Sequence, residues 1–88
     1  MVNVLFDDAA WEDYTSWLRD NRRMVEKINK LLADIDRHPE EGAGHPEPLR
    51  GDWSGYWSRR ISNADRLIYQ VVDDVIRVAQ CRGHYDDH

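Results

Sequence analysis

The sequence predicts an α+β domain: a small, antiparallel-rich twisted sheet with two N-terminal helices packed on one face. Three observations lead there. Before residue 38, apolar side chains recur at helical spacing in two separate segments. After residue 54, short runs alternate apolar and polar residues and are divided by turn-forming residues. Between them lies a stretch too rich in proline and glycine for a helix or long strand. The whole chain, residues 1–88, reads as a single domain.

Val2 to Phe6 is apolar and strand-like. Asp7 or Asp8 then supplies a helix cap, with Glu12 in the first turn. Trp11, Tyr14, Trp17 and Leu18 form the apolar stripe of a first helix. Asp20-Asn21 interrupts that pattern and caps a second helix, whose stripe is Met24, Ile28, Leu31, Leu32 and Ile35. His38-Pro39 ends it, because the residue before a proline is disfavoured in helical geometry. PEEGAGHPEP is read as loop. Gly55 to Ile61 alternates as a strand, Ser62-Asn63-Ala64-Asp65 is a turn, and Arg66 to Val72 is the next strand. Asp73-Asp74 turns the chain tightly into a last strand, Val75 to Arg82.

A two-residue turn at Asp73-Asp74 sets a register: Val72 opposite Val75, Gln70 opposite Arg77, Ile68 opposite Ala79, Arg66 opposite Cys81. Leu67, Tyr69, Val71, Ile76 and Val78 then share an apolar face, suited to lie under the helices. Arg66, Gln70, Arg77 and Cys81 share the mixed, exposed face. Strict alternation would send His84 to the core side. Gly83 permits a bend that frees His84 and Tyr85 to turn toward Arg66.

The net charge of −5 argues against indiscriminate polyanion binding. The excess is confined to residues 1–48, while residues 49–88 balance and draw all their cations from arginine. Arginine grips phosphate through paired hydrogen bonds. The acidity is expected on the helices. The N-terminal run carries no basic leader and is too short to span a membrane, and one cysteine cannot form an internal disulfide. These features point to the reducing cytoplasm.

Glu47 stands between two prolines, Arg66 begins a strand, and His84 and Tyr85 lie in the tail. A carboxylate, arginines and an imidazole are the set that RNA cleavage by 2′-hydroxyl attack requires. One group takes the hydroxyl proton, cations hold the phosphorane's charge, and one group protonates the leaving oxygen. No metal or cofactor is called for. Cys81 and His84 have the spacing of half a zinc site, but the other half is missing, and Cys81 suits a small buried position better.

GHPEPLRGDWSGYWSRRI, followed by DRLIYQV and CRGHY, resembles the YoeB-type mRNA interferase toxins of the RelE superfamily of toxin–antitoxin systems. The likeness runs nearly end to end and rests on the ordered set rather than any one piece. It implies a RelE-like ribonuclease fold and an endoribonuclease that cuts messenger RNA in the ribosomal A site. It also implies an antitoxin partner, a ribosome and mRNA as targets, and a homodimer. It places the catalytic residues at Glu47, Arg66, His84 and Tyr85, with RNA contacts at Arg50, Arg59 and Arg60, Arg60 being the better candidate of that pair. Glu47 and His84 could exchange the roles of base and acid. A ribosome-independent ribonuclease and a non-catalytic ribosome-binding inhibitor are the competing readings. Gly83 is smaller than the usual residue of the family there, and Asp86-Asp87-His88 extends past the usual end.

Overall fold

A computed structural model describes residues 3–84. Its elements follow the expected order: β1 (Asn3–Phe6), α1 (Asp8–Asp20), α2 (Arg22–Arg37), β2 (Glu47–Pro48), β3 (Trp57–Arg60), β4 (Arg66–Val72) and β5 (Val75–Gln80). A short 3-10 turn covers Gly51–Trp53. The strands form one sheet in the order β1-β5-β4-β3-β2. β1 runs parallel to β5, and the remaining pairs are antiparallel.

Asn21 caps α2 by accepting a hydrogen bond from the Arg23 backbone N–H at 3.2 Å. Asp7 precedes α1, but its carboxylate makes no capping bond. It accepts from Arg77 Nε at 2.9 Å instead and ties the start of α1 to β5. The α2 stripe behaves as expected: Met24, Ile28, Leu31 and Ile35 are buried, and Leu32 packs at their edge. The α1 stripe is only half in the core. Trp17 is buried, but Trp11 is 53% exposed and Leu18 38% exposed. Trp11 stacks on Tyr14 and meets Phe6 edge-on at centroid distances of 5.9 and 5.7 Å, so a small aromatic cluster sits outside the main core.

The helices pack on the sheet face that carries Leu67, Tyr69, Ile76 and Val78, as the alternation predicts. Val71 is the exception, being exposed near the hairpin tip. Asp73 and Asp74 both take positive φ (52° and 63°), which a two-residue hairpin turn needs and aspartate tolerates. The predicted register holds from Val72↔Val75 as far as Tyr69↔Val78. There it shifts, and Ile68 pairs with Gln80. Ala79 is the extra residue of a β-bulge, which turns every later β5 side chain to the opposite face. The expected pairs Ile68–Ala79 and Arg66–Cys81 are therefore corrected. Cys81 enters the core against α1, its thiol 3.5 Å from the Ala10 carbonyl, and Arg66 N–H donates to Gly83 O at 2.9 Å.

The other sheet face is less exposed than the alternation suggested. Ser58, Ile68 and Gln80 are almost wholly buried there, and Leu49 is buried outside the helix-side cluster. The segment read as loop contains β2, which the sequence concealed. A proline is admissible in it because the strand is at the sheet edge, where a missing N–H breaks no ladder.

Candidate active site

Register aligns the site. Glu47 pairs with Ser58, Ser58 with Ile68, and Ile68 with Gln80, so one row crosses four strands. Paired residues share a face. One step along, Arg60 pairs with Arg66 on that same face. A cleft of about 250 Å³ opens there, lined by Gly44, His45, Glu47, Ser58, Arg60, Arg66 and His84. Glu47, Arg66, His84 and Arg60 are thus brought together from β2, β4, the tail and β3.

The tail that delivers His84 is held on both sides. Cys81 N–H donates to Asp13 at 3.1 Å, and Trp17 Nε1 donates to Cys81 O at 3.0 Å. Arg82 lies 4.0 Å over the Trp17 ring and donates to Ser16 and Asp20 at 2.6 and 2.8 Å. Gly83, at φ 79°, gives its N–H to Asp65 at 2.8 Å. Asp65 also accepts from Ser62 Oγ at 2.7 Å, so the β3–β4 turn clamps the tail. The bend expected at Gly83 is present, and His84 reaches the cleft. Tyr85 lies outside the described residues, as do Asp86, Asp87 and His88.

Arg66 is oriented by its own turn. Nη1 donates to the carbonyls of Ser62, Asp65 and Asn63 at 2.7, 3.1 and 3.3 Å. Among the described residues none accepts from Nε or Nη2, so none of them blocks that edge of the fork from an anion. Arg60 makes no side-chain hydrogen bond with a described residue. Arg50 is exposed and borders a neighbouring depression that includes Glu47, Pro48 and Leu49.

Arg59 is a correction. Expected at an RNA surface, it is 0% exposed. Nε donates to Tyr69 Oη at 3.1 Å, Nη1 to the Asp34 carboxylate and to Ala43 O, and Nη2 to His38 O and Glu41 O. All five donor hydrogens are used inside the protein. Tyr69 Oη in turn donates a hydrogen bond to Pro39 O at 2.7 Å. Strand alternation explains the outcome: Arg60 faces the cleft, so its neighbour faces the helices. Arg59 organises residues 38–43, the approach to Glu47.

Electrostatics follow these contacts. The Arg59 hydrogen bond, joined by that of the Ala43 N–H, holds the Asp34 carboxyl below the usual carboxylate range. Burial pushes Tyr69 up, against the pull of Arg59. Burial also pushes the Cys81 thiol up to about 12, which removes it as a nucleophile. Cys81 points into the core while His84 lines the cleft, so the half-zinc spacing does not become a site. Among the described residues, no three His, Cys, Asp or Glu side chains cluster as metal ligands, and no helix is long and apolar enough to cross a membrane.

Sequence reasoning missed His45 and Ser58 in the cleft, and Asp13, Asp65 and Arg82 beneath the tail. His45 had a local signal, since it stands two residues before Glu47 with a proline between. The others gain meaning only through long-range contacts.

This fold is shared by solved toxin structures. A YoeB/ParE toxin from Agrobacterium tumefaciens superposes with a TM-score of 0.92 at 46% identity, over 94% of this chain and 99% of that one. A YoeB chain in a heterotetrameric YoeB–YefM toxin–antitoxin complex from Staphylococcus aureus gives 0.89 at 44%, over 97% and 99%. A YoeB dimer from the same organism gives 0.90 at 45%, over 96% and 98%. Toxin YoeB of Streptomyces coelicolor is 48% identical over 84 residues, 96% of this chain and the whole of that one. The family model for the YoeB-like toxin of bacterial type II toxin–antitoxin systems matches residues 6–85. The chain belongs to that family of toxins.

Proposed function

We propose that this toxin is a ribosome-dependent endoribonuclease that cuts messenger RNA in the A site and so stops translation. One observation carries the reading: four strand and tail segments converge to line one cleft with a carboxylate, two guanidiniums and an imidazole. Glu47 takes the proton from the 2′-hydroxyl, which attacks the adjacent phosphorus. The free edge of Arg66 receives the charge that builds on the phosphorane oxygens. Arg60 and Arg50 hold the flanking backbone. His84 gives a proton to the departing 5′-oxygen, and Tyr85 orients the phosphate or stacks on a base. The products are a 2′,3′-cyclic phosphate and a 5′-hydroxyl. Acid, base and cations together supply what the reaction needs, so metal independence is part of the proposal.

Charge distribution supports contact with the ribosome. α1 carries four carboxylates against one arginine, whereas α2 carries five cations against three carboxylates. The acidity expected on the helices is thus found on α1 and, outside the helices, at Asp7, Glu40, Glu41 and Glu47, while α2 is net basic. An antitoxin partner and a homodimer are proposed from the Staphylococcus aureus assemblies, and the ribosomal target puts the protein in the cytoplasm.

The test maps 5′ ends of messenger RNA on purified ribosomes with wild type, Glu47→Ala and His84→Ala. New ends with wild type alone are expected. Cuts that persist in both variants would refute the assignment. Equal cleavage of naked RNA would remove the ribosome from the proposal.

A further inference from the structure

We propose that His45 is a phosphate-binding residue of this cleft, its imidazole gripping the RNA backbone beside the catalytic groups. The inference rests on the ribonuclease reading and adds a residue to it. His45 lines the same cleft as Glu47, Arg60, Arg66 and His84. No described residue offers its imidazole a hydrogen bond or an ion pair.

Its backbone is in an unusual state. His45 has φ 51°, a left-handed value rare outside glycine. It also precedes Pro46, and residues before proline favour extended geometry. Such a conformation is strained and persists only where the surroundings impose it. Here they do. Gly44 O accepts from Arg60 N–H at 2.7 Å, and Ala43 O is taken by Arg59 at 3.1 Å. Gly44 packs so closely that an added Cβ would lie 3.0 Å from Arg60 O and 3.2 Å from Arg59 Cβ. The chain is therefore anchored just before His45 and restricted by proline just after it. The imidazole is presented at the cleft by that backbone.

The chemistry of the lining selects the ligand. Among the described residues Glu47 is its one carboxylate, supplied by β2. Arg60 from β3, Arg66 from β4 and His84 from the tail oppose it. An imidazole without a partner among these groups becomes a useful donor when a phosphate oxygen enters. With Arg60 and Arg66 it supplies a third donor to that anion.

The experiment measures kcat and KM for cleavage of mRNA on programmed ribosomes at neutral pH. Wild type, His45→Asn and His45→Lys are compared. Asparagine tolerates the left-handed backbone and carries no charge, and thermal melts of each variant establish that it is folded. The expected loss in His45→Asn is about tenfold in kcat/KM, the size of one lost phosphate contact. His45→Lys keeps a donor at that position and should hold activity within about threefold of wild type. A His45→Asn variant with the kcat/KM of wild type overturns the proposal while leaving the ribonuclease reading intact. Absence of cutting by wild type overturns both.

Discussion

Truncating Arg59 to alanine tests the buried network that holds the approach to Glu47. The guanidinium satisfies four neutral acceptors: the carbonyls of His38, Glu41 and Ala43, and the Tyr69 hydroxyl. At about 1 kcal/mol net for each bond, their loss costs roughly 4 kcal/mol before any change in packing. The whole stability of an 88-residue domain is about 4–13 kcal/mol. Arg59→Ala should therefore lower Tm by at least about 15 °C, at roughly 4 °C or more per kcal/mol. Urea unfolding should show a lower midpoint with an unchanged slope. Arg59→Lys keeps the charge but has three donors in place of a five-donor fork, so it should recover less than half of the loss. A fall of less than about 1 kcal/mol in Arg59→Ala would refute the reasoning, because the loop would then find water or other partners at no cost.

Other outcomes follow from single contacts. Cys81 has its thiol pushed up to about 12, so at pH 8 it should be alkylated by iodoacetamide at least ~10³-fold more slowly in the folded than in the unfolded protein. Mass spectrometry reads that rate, and a difference under tenfold would contradict the burial of the thiol. Asp34 has its carboxyl depressed by Arg59. Its contribution is complete above about pH 4, the ordinary unfolded value, and is lost as pH falls through the lower folded value. Urea midpoints between pH 2 and 6 should fall less steeply in Asp34→Asn, and identical slopes would sink that account. Gln80 is buried with neither amide atom paired by a described residue. Gln80→Met should stabilise the fold by about 1 kcal/mol, and a lower Tm would mean that the amide has a partner in solution.

Local sequence determined much of this protein. Turn residues, caps and the two apolar periods gave every long element to within a few residues, because those signals act over one turn of chain. The stripe of α2 and the core face of the hairpin were legible for the same reason. The ordered motifs from Gly44 to Tyr85 carried the family and marked Glu47, Arg66 and His84 for one cleft. Tertiary structure alone decided the rest. β2 is a strand only because β3 lies beside it, and no two-residue segment announces its pairing. The bulge at Ala79 reverses side-chain direction for the end of β5, so a register counted from the turn could not place Cys81. Arg59 and Arg60 look alike in a list of cations. Their fates differ because adjacent strand residues face opposite ways, and only the packed helices and the loop at residues 38–43 say which way is buried.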